Sequence, residues 1–206
     1  MRRFLTACAI ALSLGAHPLS AQAELGAFVG VFAPTSEFVV PPPSPFASAS
    51  AKIETQFTYG GVGRYWFGSR VGAQVTYSAG QGNLVVYSLY SSPADTTYDV
   101  TTGLLTLQFL YSLSTPSLPN TLWASIGPAW SSLDSPYLHG AEIDNDVGVA
   151  IGLGSTLPVF DRRLLVNFMI DGVIWGLSVS DSTSEGTRSS QFAIRAVVGA
   201  TVPIGR

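Results

Sequence analysis

The stretch Val147-Gly-Val-Ala-Ile-Gly-Leu-Gly154 decides the fold, because large and small side chains alternate in it without exception. A period of two indicates a β-strand, and the two sets of side chains point to opposite faces of that strand. An eight-stranded barrel has a narrow interior that leaves room for little bulk. The alternation therefore predicts a barrel strand with its valine, isoleucine and leucine residues facing lipid and its small residues facing the lumen.

Seven further stretches alternate in a similar way and carry few central charges. Together they give eight predicted strands, at 24–34, 53–67, 70–80, 98–113, 120–132, 144–158, 163–179 and 189–204. Each is long enough for the 9–11 residues that a membrane-crossing strand needs. The sequence thus predicts an all-β fold, a closed up-and-down antiparallel transmembrane β-barrel of about eight strands.

The connections between these strands alternate in length. The second, fourth and sixth strands are followed by short turns at 68–70, 114–119 and 160–163. The other four connections are long, at 35–52, 81–97, 133–143 and 180–188. This asymmetry is typical of outer-membrane barrels and predicts four extracellular loops with both termini in the periplasm. The apolar stretch 84–90 is expected to extend the third hairpin beyond the membrane rather than to form a ninth strand.

Composition supports a membrane protein without membrane helices. The chain is 47% hydrophobic and only 11% charged, against about 25% charged residues in an ordinary soluble domain. After residue 23 no segment approaches the 18 continuous apolar residues of a spanning helix. A closed barrel is the other structure that satisfies every backbone group in lipid. The main rival, a soluble β-sandwich or barrel, would turn its apolar face inward instead.

Residues 1–23 are expected to be a cleaved signal peptide, which leaves residues 24–206 as one barrel domain. Arg2 and Arg3 precede the apolar stretch 4–14, and Ala21-Gln22-Ala23 matches a small-residue cleavage site. The single cysteine, Cys8, would be removed with the signal peptide. Lys52 is the sole lysine, and so few basic residues argue against nucleic-acid binding. We expect an exported protein of the outer membrane.

Three central charges fall on the inward face of their strands: Arg64, Asp171 and Arg195. An arginine that faced lipid at mid-depth would cost about 2–4 kcal/mol. The same parity turns four amides inward, which are Gln56, Gln74, Gln108 and Asn167. We predict that these seven residues form a polar plug that fills the lumen for stability. The alternative is an ion path or gate.

Aromatic residues are expected to form two interface belts. Tyr65, Phe67 and Tyr111 lie beside the short turns, and Tyr77 and Trp130 lie beside the long loops. Three other tryptophans have inward parity and are expected to pack the interior: Trp66, Trp123 and Trp175.

The glycine-rich strand 147–154, the Pro-Val-Phe-Asp-Arg turn that begins at Pro158 and the apolar strand 164–175 resemble the small outer-membrane β-barrel domain family, the OmpA/OmpW-like group. Gly61-Val-Gly63 and the stretch 199–203 are similar too. The resemblance implies a structural barrel, a small channel or a lipid-modifying enzyme. Members of that family usually end in an aromatic residue, which the insertion machinery reads, whereas this sequence ends in Arg206.

Chemistry-bearing motifs are sparse, and we expect no enzyme, cofactor or metal. His139 is followed by glycine and alanine rather than forming a His-x-Ser pair. The acids at 142, 144 and 146 lack the glycine and distal glutamate of a calcium loop. The preferred function is a structural or interaction role through the four loops. The alternatives are a narrow channel for small apolar or ionic solutes and a lipid-modifying enzyme. Expected partners are outer-membrane lipid, the barrel-insertion machinery and an unidentified surface ligand, with a monomeric chain.

Overall fold

A computed structural model describes residues 22–40, 49–88, 96–113, 122–138, 142–145, 147–160, 163–180 and 189–204. Within these ranges the chain forms eleven strands and one short 3-10 turn, Pro136–Leu138. The strands are β1 (Gln22–Pro34), β2 (Glu37–Val40), β3 (Ala49–Ile53), β4 (Gln56–Trp66), β5 (Val71–Ser88), β6 (Thr96–Ser112), β7 (Leu122–Asp134), β8 (Glu142–Asn145), β9 (Gly148–Val159), β10 (Leu164–Ser180) and β11 (Ser189–Ile204). In the described ranges there is no helix with the length and apolar character needed to cross a membrane.

Eight of the strands form a closed ring. Its order is β1, β4, β5, β6, β7, β9, β10 and β11, with every neighbouring pair antiparallel. The ring closes where β1 pairs with β11, from Ala23 opposite Ile204 to Pro34 opposite Ala193. Consecutive ring strands are neighbours throughout, so the predicted up-and-down barrel is confirmed. The first strand also begins two residues earlier than predicted, at Gln22.

Two of the predicted strands are wrong as single elements, because each contains a β-bulge. In the predicted strand 53–67, Ile53 pairs with Leu84 but Phe57 pairs with Gln81, so one extra residue lies on the side of β3 and β4. In the predicted strand 144–158, β8 and β9 pair with β10 in registers that also differ by one residue. A bulge interrupts the alternation between the two faces, which a strict period of two in the sequence does not anticipate.

Three of the predicted long loops contain regular structure. β2 lies inside the predicted loop 35–52, and β3 begins there and ends one residue beyond it, at Ile53. The 3-10 turn lies inside the predicted loop 133–143, and β8 begins near the end of that loop. β5 continues to Ser88, as the expected extension of the third hairpin requires. We call the part built from β2, β3, β8 and the loop-side ends of β5, β6 and β10 the upper storey. In the described part of the chain, the upper storey stands on one end of the eight-stranded ring. The short turns lie at the opposite end, which we call the turn end.

The interior changes polarity between the ring and the upper storey. Inside the ring, polar side chains dominate the buried set, while outward residues such as Ile151 and Phe109 are exposed. Inside the upper storey the buried side chains are apolar. They include Phe38, Ala51, Ile53, Leu84, Val86, Val100, Leu138, Leu177 and Val179. Its outward residues Glu37, Glu54 and Asp99 are exposed, so this part has the polarity of a soluble protein.

Inward glycines of β9 make room for large groups from neighbouring strands. A Cβ on Gly152 would overlap the carboxylate of Asp171, and one on Gly154 would overlap the ring of Trp123. The glycine side of the alternating stretch is therefore filled by residues of β10 and β7. This explains why the predicted small face is small.

Gly154→Ala should lower the free energy of unfolding by about 1–3 kcal/mol, because overpacking forces the fully buried Trp123 to move. Urea unfolding in lipid vesicles, followed by tryptophan fluorescence, measures this. Gly61→Ala is the matched control, because a Cβ there would meet its nearest neighbour at 3.7 Å, an ordinary contact. Equal stability of the two variants would contradict the packing explanation.

Candidate functional site

The structure places all seven polar residues predicted for the lumen inside the ring. Each is at most 6% exposed. They come from β4, β5, β6, β10 and β11, and so from opposite walls of the barrel. Six of them join one network, which has two tiers, while Gln56 stands apart and donates from Nε2 to Thr102 Oγ1.

The lower tier, nearer the turn end, is centred on Arg64. Its Nη1 donates to Glu24 Oε2 at 3.0 Å and to Asn167 Oδ1 at 3.0 Å. Its Nε and Nη2 donate to Gln74 Oε1 at 3.0 and 2.8 Å. The guanidinium carbon also lies 4.7 Å from the centroid of the Trp123 ring. A buried cation is tolerated at this level because a carboxylate, two amides and a π-face compensate for its lost hydration.

Glu24 is the member of the lower tier that sequence reasoning missed. It forms the ion pair with Arg64, and both side chains are 2% exposed. Trp66 Nε1 donates to its Oε1 at 3.2 Å and Thr201 Oγ1 to its Oε2 at 3.3 Å. The signal was present, because Glu24 shares the parity of Phe28 and Phe32 on β1 and all three are buried. Treating Glu24 as the first residue after cleavage concealed its place on an inward face.

The upper tier is centred on the ion pair between Arg195 and Asp171, whose side chains are fully buried. Arg195 donates to Asp171 Oδ2 from Nη2 at 2.7 Å and from Nε at 3.1 Å. It also reaches across the lumen to β5, donating to Ser78 Oγ and Thr76 Oγ1, both at 3.1 Å. The pair thus ties β10 and β11 to the opposite wall.

Two glutamines connect the tiers. Gln74, which accepts from Arg64, donates from Nε2 to Gln108 Oε1 at 3.1 Å. Gln108 in turn donates from Nε2 to Asp171 Oδ1 at 3.2 Å. An unbroken chain of side-chain hydrogen bonds therefore runs from Glu24 to Arg195. It contains two acids and two arginines, so its net formal charge is zero.

Little empty space remains between the tiers. One cavity of about 20 Å³ lies there, lined by Phe28, Val62, Met169 and Val197 together with Arg64 and Gln74. That is room for about one water molecule. Apolar side chains thus close the gap that the polar network leaves, and the lumen is filled at this depth.

The five aromatic residues predicted for the interface belts all lie on the outward face. At the turn end Phe67 and Tyr111 are 56% and 44% exposed, and the Tyr65 ring lies edge-on to Phe67 at 5.0 Å. Toward the upper storey Tyr77 is 57% exposed and Trp130 is partly exposed. Tyr77 and Trp130 both pair with Leu105, so they share one level of the wall.

The residues singled out for catalysis or metal binding are only partly described by the structure. The described ranges contain no group of three or more histidine, cysteine, aspartate or glutamate residues that could hold a metal. Glu142 and Asp144 lie on β8, paired with β10. His139 and Asp146 lie outside the described residues.

Comparison with known proteins gives similarity in structure but not in sequence. No family model and no curated protein matches the sequence. The outer membrane protein OprG from Pseudomonas aeruginosa matches with a TM-score of 0.63 and 13% identity, over 92% of this chain and 98% of that one. The outer membrane protein AlkL, solved in lipid bilayers, matches with a TM-score of 0.50 and 10% identity, over 93% of each chain. This chain has the fold of a small outer-membrane β-barrel. The fold that the resemblance in sequence implied is therefore confirmed.

Arg195→Met should destabilise this barrel by about 3–5 kcal/mol, because it leaves the Asp171 carboxylate buried without its cation. Adding Asp171→Leu in the same chain should restore much of that loss, since no unpaired charge then remains. Urea unfolding of the two single variants and the double variant gives the coupling energy. Additive losses would show that the pair does not act as a unit.

Proposed function

We propose that the protein is an integral outer-membrane barrel, closed to ions at rest, with a structural or interaction role. The shared fold and the exposed apolar outer wall of the ring support the placement in a membrane. In water such a wall would be an oversized apolar patch, whereas in lipid it is solvated. The long loops and the upper storey then form the part available to partners.

The filled lumen is the main support for the proposal that the barrel is closed to ions. A path for hydrated ions needs connected water, but the network from Glu24 to Arg195 occupies the ring, and the cavity between its tiers holds about one water molecule. Each arginine is held by at least three side-chain acceptors. Opening such a path would leave buried charges without partners, at a cost of several kcal/mol.

The change of polarity along the barrel supports the orientation. The upper storey is apolar inside and polar outside, which suits water rather than lipid. β5 continues from Tyr77, in the upper aromatic belt, to Ser88. This part of the strand is roughly 37 Å long, measured along the strand at 3.4 Å per residue. The upper storey and the long loops would then stand outside the cell, with the turn end and both termini in the periplasm.

Outer-membrane lipid and the barrel-insertion machinery are the partners this proposal implies, and the ring's closure favours a monomer. We also propose that the protein has no enzymatic role and takes no nucleic acid. Several hydroxyls in the lumen belong to the plug, as Ser78 and Thr76 do by accepting from Arg195. A mass change in lipid A upon expression of the protein would contradict this part of the proposal.

In planar bilayers the purified protein should show no current steps at either polarity, because the plug excludes connected water. Arg195→Ala should also remain silent while its melting temperature falls, because the Arg64 tier still closes the lumen. Slower migration on gels after heating serves as the control that the inserted protein is folded. Stepwise currents from the unmodified protein would refute the closed barrel.

Binding of small apolar molecules is a second candidate function, favoured by the apolar interior of the upper storey. Trp175 stacks on Phe32 with ring centroids 6.3 Å apart and lines a cavity of about 20 Å³ with Ile53 and Leu177. The cavity is too small for a ligand at rest, so binding would require these side chains to move. Among the solutes of a narrow channel, apolar ones suit such walls better than ions.

A brominated alkane bound there should quench the fluorescence of Trp175 in protein reconstituted into nanodiscs. The unmodified protein should lose more emission than Trp175→Phe, and the difference should saturate with the alkane concentration. Trp130, on the outer wall, reports partition into lipid in both proteins. Identical quenching in the two proteins would contradict the binding of small apolar molecules at this site.

A further inference from the structure

Two short turns at the turn end repeat one pattern, a phenylalanine followed three residues later by an arginine. Phe67-Gly-Ser-Arg70 joins β4 to β5, and Phe160-Asp-Arg-Arg163 joins β9 to β10. Phe67 is 56% and Phe160 74% exposed, and both arginines are exposed. In the ring order the two turns are four strands apart, so they lie on opposite sides of the rim.

The backbone at Phe160 is strained. Its φ of 49° makes it the one non-glycine residue in the described ranges with a positive φ. Arg163 N–H closes the turn by donating to the Phe160 carbonyl at 3.1 Å. Glycine or asparagine adopts this conformation at lower cost than an aromatic residue. A positive φ at an exposed aromatic residue therefore makes this turn a candidate for a function that uses the ring.

The charges outside the lumen are distributed unevenly between the two ends. Among the described residues, the loop end carries six acidic residues against one basic one, Lys52, a net charge of −5. The described part of the turn end carries Arg70 and Arg163 and no acidic residue outside the lumen, a net charge of +2. The turn end is therefore the part of the surface that would attract an anion.

We propose that these two Phe-x-x-Arg turns bind the phosphate of anionic glycerophospholipids in the periplasmic leaflet. The phenylalanine rings would lie at the boundary between headgroups and acyl chains, where apolar side chains anchor a protein. The guanidinium groups would form paired hydrogen bonds to phosphate oxygens. Tyr65 and Tyr111 at the same rim place the ring's edge at that depth. The inference rests on the proposed placement in the outer membrane, but not on whether the lumen conducts.

Native mass spectrometry of the folded protein, mixed in detergent with phosphatidylglycerol or phosphatidylcholine, tests it. The unmodified protein should retain phosphatidylglycerol preferentially, and Arg70→Gln with Arg163→Gln should lower the lipid-bound fraction several-fold. Lys52→Gln with Arg188→Gln removes the same charge at the loop end and should retain the lipid. Equal retention by the unmodified protein and the turn-end variant, or an equal loss in both variants, would overturn the proposal.

The variant Phe160→Gly tests the role of the phenylalanine side chain separately from the stability of the fold. Because glycine accepts the positive φ, this variant should raise the melting temperature in detergent while it lowers phosphatidylglycerol retention. A raised melting temperature with unchanged retention would overturn the role of the ring. Displacement of the lipid by inorganic phosphate alone would indicate a free-anion site instead. A protein that stayed folded and monomeric without detergent would refute the membrane placement, a result distinct from any of these.

Discussion

The pairing of β1 with β11 is the constraint on which the rest of the structure depends. It turns a sheet with two edges into a ring with none, so the ring strands need no other partner for their backbone groups. A ring of eight strands leaves an interior only wide enough for side chains. Each bulky inward group must therefore be matched by a small one nearby, as Trp123 is by Gly154 and Asp171 is by Gly152.

The same narrow interior explains why charge is buried in pairs. Asp171 and Arg195 lie directly opposite each other on β10 and β11. The same strand register that forms the ring therefore places the carboxylate beside the guanidinium group. Glu24 and Arg64 are opposite each other on β1 and β4 in the same way. The two ion pairs thus follow from strand register. A slip of one strand by one residue would turn its charge toward the outer wall and leave the partner charge buried alone.

The ring was predictable from the sequence because its information is local. Alternation along 147–154 and 189–204 reveals which side chains share a face, and the lengths of the connections reveal which strands neighbour each other. The two bulges and the upper storey were not predictable. β2, β3 and β8 are each five residues or shorter, and their pairing depends on the extended ends of β5 and β10. Glu24, the partner of Arg64, escaped because it was taken as the first residue after cleavage, although its parity with Phe28 and Phe32 indicates an inward face.

The β5–β6 hairpin also has a mechanical aspect. Its ladder runs without a break from Val71 opposite Tyr111 to Val86 opposite Thr96, and so passes from the turn end through the ring into the upper storey. Backbone hydrogen bonds therefore connect the upper storey to the turn end along this one hairpin. A pull or a tilt applied to its outer tip would be transmitted to the rungs that hold Gln74 and Gln108, where the two tiers of the plug are joined. The hairpin thus provides a mechanical connection between the upper storey and the middle of the plug.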